Sequence, residues 1–191
     1  MNEFTPLYDY IEKLHPLNKE VKEKIAESFI FKRVAKNEFL LREGEICKYN
    51  YFVLKGSLRL YKVDPKGEEL IRYFAFENKF VSNLTSFISG QASDEYIQAN
   101  EKTEALCIGR SDFYELVETN KALNRVYRNM LENAYITSQK RIYNFQGYTA
   151  LERLQWLLQE YPGILSRLPS RMIASYLGIT PFTLSRLKAE L

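Results

Sequence analysis

The sequence predicts an α+β protein in two parts, an antiparallel β-domain that carries a long helix and then a small helical domain. Three observations carry this reading. From Ile30 to Gly109, short β-branched and aromatic runs alternate with turn signals, at the spacing of a small sandwich or barrel. From Leu123 to Arg141 the apolar period changes to that of a long helix. The final stretch, SRMIASYLGITPFTLSRLKAEL from Ser170, reads as two short helices joined by a tight turn.

Taken in order, Phe4–Leu14 and Asn18–Phe29 read as amphipathic helices separated by His15 and Pro16. In the second, Val21, Ile25 and Phe29 share one face, and Lys and Glu fill the other. The strands then run FIFKRV, EFLL, YNYFVLK, SLRLYKV, EELIRYFAF, EYIQANE and EALCIGR. Arg42–Glu45, Gly56 and Asp64–Gly67 supply turns between them. In Lys79–Gln91, Ser82 or Asn83 starts a short helix and Gly90 ends it. Asp112–Thr119 makes another. Leu123, Tyr127, Met130, Ala134, Thr137 and Arg141 follow the alternating spacing of a coiled-coil seam. Such a stripe predicts a dimer seam, or else a helix lying along its own β-domain. Gly147 breaks the helix and marks a hinge. Ala150–Glu160 is a further amphipathic helix, stopped by Pro162 and Gly163. The domains are therefore placed at 1–146, including the helix 121–146, and at 147–191.

In the last stretch, the Ser170 hydroxyl is expected to cap the first helix, and Ile173, Ala174 and Leu177 share its apolar face. Gly178 ends it in the left-handed region. Thr180 caps the second helix, with Pro181 at its first position. Leu184, Leu187 and Leu191 continue the apolar stripe. Phe182, Thr183, Ser185, Arg186 and Lys188 face the other way. This is the layout of a DNA-binding helix-turn-helix; an ordinary corner between two packed helices is the plain alternative.

Composition bounds the function. The hydrophobic share is 46%, and fourteen Tyr with twelve Phe can fill a sizeable core. Net charge is only +3, but it is unevenly placed. From Gln139 on, seven Lys or Arg stand against three Glu, whereas the first 138 residues carry 20 basic and 21 acidic groups. No N-terminal run resembles a signal peptide, and none approaches the roughly 20 apolar residues of a membrane span. A cytoplasmic protein with reduced Cys47 and Cys107 is expected. Two cysteines are too few for an iron–sulfur cluster, and His15 reads as a loop or capping residue. Neither a metal site nor a cofactor is expected. An activated nucleophile, a metal triad and a phosphate loop are all missing from the pattern, so no enzyme is expected.

In this order the elements resemble the Crp–Fnr family of bacterial transcription regulators. The anchors are REGE at Arg42–Glu45, YFVLKGSLRLY at Tyr51–Tyr61 and ASYLGITPFTLSR at Ala174–Arg186. The resemblance implies a double-stranded β-roll of the cyclic nucleotide-binding kind, a long dimerisation helix and a C-terminal winged helix-turn-helix. It also implies a homodimer, with DNA and RNA polymerase as partners and no membrane. The DNA-binding residues it implies are Thr180, Pro181, Phe182, Thr183, Ser185, Arg186 and Lys188. The ligand pocket falls at Ser82, Asn83, Leu84, Thr85, Ser93 and Asp94.

Two departures stand out. Members that bind cyclic AMP have a Gly-Glu pair for the ribose and an Arg-Ser pair for the phosphate; here these positions hold Ser82-Asn83 and Ser93-Asp94. A cyclic phosphate seeks a guanidinium fork, and Asp94 and Glu95 would repel it. Cyclic AMP is therefore not expected to bind. The pocket residues are left to take an uncharged or cationic ligand, or merely to cap the helix. In the second helix of the corner, Phe182 stands where the family often has a Glu, and the wing is reduced to Ile164–Leu168. Altered sequence preference follows. The competing reading is a sensory module that answers a small ligand without sequence-specific DNA binding.

Overall fold

A computed structural model describes residues 3–190. Two helices lead, α1 (Thr5–Glu12) and α2 (Lys19–Ser28), the second capped by Asn18, whose side chain accepts from the Val21 N–H. The strands follow as β1 (Phe29–Val34), β2 (Phe39–Leu41), β3 (Tyr49–Lys55), β4 (Leu58–Val63), β5 (Glu69–Ala75) and β6 (Phe80–Val81). Helix α3 (Leu84–Ser89) interrupts them before β7 (Tyr96–Ala99) and β8 (Thr103–Gly109). Helices complete the chain as α4 (Arg110–Thr119), α5 (Lys121–Gly147), α6 (Ala150–Glu160), α7 (Ile164–Arg167), α8 (Ser170–Leu177) and α9 (Pro181–Lys188).

The strands form two four-stranded sheets, in the orders β1-β8-β3-β6 and β2-β7-β4-β5. Between them lies a core that includes Tyr51, Val53, Leu58, Leu60, Ile97 and Leu106. Strand β3 does not alternate between buried and exposed residues, because Phe52 on its other face meets Tyr10 of α1 and Phe80 of β6, edge-on or tilted at 5.5 and 4.9 Å. The two-residue strand β6 was not foreseen; it pairs with Tyr51 and Phe52. Gly56 turns the chain between β3 and β4 at φ +96, and a Cβ there would sit 2.6 Å from the Thr103 hydroxyl. The next hairpin is tied by Asp64, whose Oδ1 accepts from the Lys66 and Glu68 N–H groups.

Contacts divide the chain into two compact units. One takes residues up to Lys62 and Tyr73–Leu131; the other takes Val63–Arg72 and Glu132 onward. The second half of α5, which the sequence reading counts with the first domain, thus groups with the C-terminal helices. In that unit Leu154, Leu157, Ile164, Ile173, Ala174 and Leu184 are buried. Helix α6 opens on a full capping box, Thr149 accepting from the Glu152 N–H and the Glu152 carboxylate accepting from the Thr149 N–H. The stretch expected to be a remnant wing is the single-turn helix α7 with Ile164 and Leu168 turned inward. No strand follows β8 among the described residues.

Candidate functional site

The C-terminal corner forms as its sequence directs. Gly178 adopts φ +65 and closes α8. Its Cα also faces the Phe145 ring, where an added Cβ would come within 2.7 Å. Ile179 is half-buried in the turn. Thr180 caps α9, its Oγ1 accepting from the Thr183 N–H at 3.1 Å and lying 2.9 Å from the Thr183 hydroxyl. Pro181 occupies the first turn, and Leu184 is fully buried.

The outward side of α9 carries Pro181, Phe182, Ser185 and Arg186, all exposed, with Thr183 half-buried beside them. Phe182 is 72% exposed, the most exposed large apolar side chain described. It does not fold back as a staple; it stands free for an outside contact. Lys188 departs from the expected face, because its ammonium reaches back to the Ser170 hydroxyl at 3.0 Å. That hydroxyl does not cap α8. Ser170 is the first helical residue, and Pro169 before it holds the extended cap position. Leu191 lies outside the described residues.

Ser175 on α8 ties the corner to the hairpin 63–72, accepting from the Ile71 N–H at 3.0 Å and donating to the Glu69 carbonyl. Arg171 pairs with the Glu69 carboxylate at 3.5 Å. Neither contact was legible in the sequence, since no pattern links residues so far apart.

The long helix corrects the expected seam. Leu123 is fully buried in its own domain core. Tyr127 meets Phe113 and Tyr114 edge-on at 5.6 and 5.8 Å, and Met130 Sδ accepts from the Asn50 amide at 3.8 Å. Arg141 lies over the Tyr176 ring at 4.3 Å. Ala134 and Thr137 are half-buried. An apolar stripe signals a buried face but not what buries it. Here the roll takes its first half. The apolar surface left open is Tyr135, Ile136, Ile142, Tyr143 and Phe145, exposed by 66, 49, 48, 67 and 43%, and each of the pairs Tyr135–Ile142 and Ile136–Tyr143 is one heptad apart.

Of the expected ligand residues, Asn83 and Ser93 are engaged by Glu95. Asn83 caps α3 through the Ser86 N–H and donates to the Glu95 carboxylate. The Ser93 hydroxyl closes on the Glu95 backbone, accepting from its N–H at 3.1 Å and donating to its carbonyl at 3.0 Å. Ser82 is buried and its hydroxyl has no hydrogen-bond partner. Leu84 is half-buried, and Thr85 and Asp94 are exposed. Arg110, a cation that could have faced this region, instead caps the end of α3 through the Phe87 and Ile88 carbonyls at 2.6 and 3.0 Å.

An open cleft of about 500 Å³ lies elsewhere, lined by Leu40, Leu41, Gly44–Tyr49 and Tyr51. None of the six expected ligand residues lines it. Its size suits a small molecule. Burial pushes the Cys47 thiol up, with hydrogen bonds from neighbouring backbone opposing, so this cysteine stays a protonated thiol rather than a nucleophile. No group of three metal-ligating side chains occurs among the described residues, and no helix is long and apolar enough to cross a membrane.

Residues 31–120 match the family model of the cyclic nucleotide-binding domain. The chain is 28% identical over 102 residues to the cAMP-activated global transcriptional regulator CRP of Salmonella typhimurium, covering 53% of this chain and 49% of that one. It thus spans about half the length of the curated relatives it matches. Among solved structures, FixK2 from Bradyrhizobium japonicum superposes with TM-score 0.76 at 23% identity, over 85% of this chain and 84% of that one. A transcriptional regulator of the Crp/Fnr family from Eubacterium rectale superposes with TM-score 0.71 at 17% identity, over 100% and 87%. At these identities the likeness speaks for the fold.

Proposed function

We propose that the chain is a homodimeric, DNA-binding transcription regulator of the Crp/Fnr kind. The observation that carries the proposal is α9. A threonine-capped helix, held by a left-handed glycine turn against α8, presents Phe182, Ser185 and Arg186 to solvent. Those side chains have the chemistry to read a major groove. Arg186 forks onto guanine or phosphate, and Phe182 lies on thymine methyls. Thr180 and Thr183 sit at the positive end of the helix, where phosphate is favoured. Lys188, held by Ser170, adds charge rather than a base contact. RNA polymerase is the further partner such a regulator meets at a promoter, and a cytoplasmic location belongs to the same proposal.

Dimerisation is assigned to the second half of α5, through Tyr135, Ile136, Ile142 and Tyr143. Cyclic AMP is not the effector. At the family's nucleotide positions Asn83 and Ser93 are held by Glu95, Asp94 is an exposed acid, and no guanidinium is among them.

Selection of binding sites from random DNA tests the proposal, followed by titration of the selected site at several salt concentrations. The expected result is a two-fold or near two-fold operator, with affinity falling steeply as salt rises. Absence of enrichment, together with no DNA binding at low salt, would transfer the chain to the sensory-module reading.

A further inference from the structure

Behind the corner, a small cavity opens among α5, α6 and α8. Its walls are Arg141, Asn144 and Phe145 from α5, Arg153 and Trp156 from α6, and Tyr176 and Leu177 from α8. Three of these residues carry N–H donors that are buried and have no hydrogen-bond partner: Arg141 Nη1, Asn144 Nδ2 and Arg153 Nε. Asn144 itself is only 6% exposed. Buried donors are almost always paired, so three unpaired ones around one cavity require an explanation.

Charge points the same way. The two guanidiniums lie against one ring, Arg141 at 5.2 Å and Arg153 at 5.0 Å from the centre of Phe145. No carboxylate lines the cavity. Two cations at one cavity make the local potential positive and favour an anionic occupant. A water molecule accepts two hydrogen bonds at most and brings no charge, so it answers neither demand. The space for an occupant's centre is about 10 Å³, room for one small ion of roughly water size.

We propose that Arg141, Asn144 and Arg153 form a binding site for a single halide-sized anion, chloride under cellular conditions. The anion accepts from all three donors at once, with the rings of Phe145, Trp156 and Tyr176 beside it. Arg141 also acts on the Tyr176 phenol. Burial raises the pKa of that group, Arg141 opposes the rise by its charge and a hydrogen bond, and Glu160 adds to it. The occupied site fastens the end of the long helix to the first helix of the corner. It does not depend on the DNA-binding reading.

Trp156 is the only tryptophan of the chain, so its fluorescence reports the cavity directly. The protein is dialysed into sodium gluconate, and chloride is exchanged in at constant ionic strength. A saturable change in emission, matched by a rise in the unfolding temperature, is expected for chloride and bromide but not for sulfate. In Arg153→Gln and in Asn144→Leu, which keeps the branched shape while removing a donor, saturation should move at least tenfold higher in chloride. A linear or absent response in the wild type overturns the proposal, as does unchanged saturation in both variants, or saturation by sulfate alone. If the variants do not fold, bromide-soaked crystals of the wild type decide. An anomalous peak within reach of Arg141, Asn144 and Arg153 supports the site, and an empty cavity refutes it.

Discussion

Arg186 and Gly178 make opposite demands on a single substitution. Arg186 is exposed and touches nothing that holds the fold, so Arg186→Ala should leave stability unchanged. If the guanidinium forks onto guanine, the change costs about 1–3 kcal/mol on the selected operator and relaxes preference at one position per half-site. If it meets only phosphate, affinity falls evenly on all sequences and the salt slope shrinks by about one charge per subunit. Titrations on operator and scrambled DNA separate the two; unchanged binding on both would remove α9 as the reader. Gly178→Ala works through the fold instead. It forces a Cβ into the left-handed region and to 2.7 Å from the Phe145 ring. We expect a loss of about 1–3 kcal/mol in urea unfolding. In a Phe145→Ala background the steric part disappears, so the same substitution should cost measurably less. The glycine's role in ending the helix was legible from its place after Leu177. Its collision with a residue 33 positions earlier was not, because sequence spacing carries no information on which ring fills the space.

At the level of elements, pattern reading succeeded where residues interact locally and failed where a partner decides. The Thr180 cap, the Asn83 cap and the end of α3 at Gly90 all follow from short-range chemistry. The stripe from Leu123 to Arg141 did not reveal that the roll covers its first half. Strand β6 is too short to have a period, and the ligand residues were read by position, whereas their hydrogen bonds run to Glu95. The corrected dimer surface makes a sharp contrast. Ile142→Asp places a charge on the open stripe and should turn a dimer into a monomer of normal stability in sedimentation. Met130→Asp buries a charge against the roll and should lower unfolding stability instead. A dimer that survives Ile142→Asp together with Ile136→Asp would clear α5 of this role. The capping box of α6 adds a pH dependence. Hydrogen bonds from the Thr149 backbone and hydroxyl hold the Glu152 carboxyl below its ordinary range. A lowered folded-state value means stabilisation that is full above the unfolded carboxylate pKa of about 4.3 and fades as pH falls through the lowered value. The stability difference between wild type and Glu152→Gln should therefore shrink on acidification, as urea melts at neutral and acid pH will read.

For the molecule as a whole, DNA binding at α9 should be independent of cyclic nucleotides. A nucleotide-activated regulator needs the effector to bind its active conformation better than its inactive one, or no population shifts. Cyclic AMP brings an anionic phosphate and a ribose. The groups at the expected positions are Asn83, already paired with Glu95, Ser93, closed on the Glu95 backbone, and Asp94, an exposed acid. Glu95 is buried beside them. Bringing a phosphate there means burying like charge against like charge and breaking hydrogen bonds that the roll already makes. No differential affinity can come from such contacts. The dimer should therefore bind its operator equally well with and without cyclic AMP, with the two α9 helices engaging successive major grooves about 34 Å apart. Calorimetry of the free protein should show no saturable heat with cyclic AMP or cyclic GMP, and operator titrations should superpose in the presence of either. Micromolar binding of one of them, accompanied by tighter operator binding, would mean that Asn83 and Ser93 release Glu95 to make room, and the roll would then be a nucleotide sensor after all.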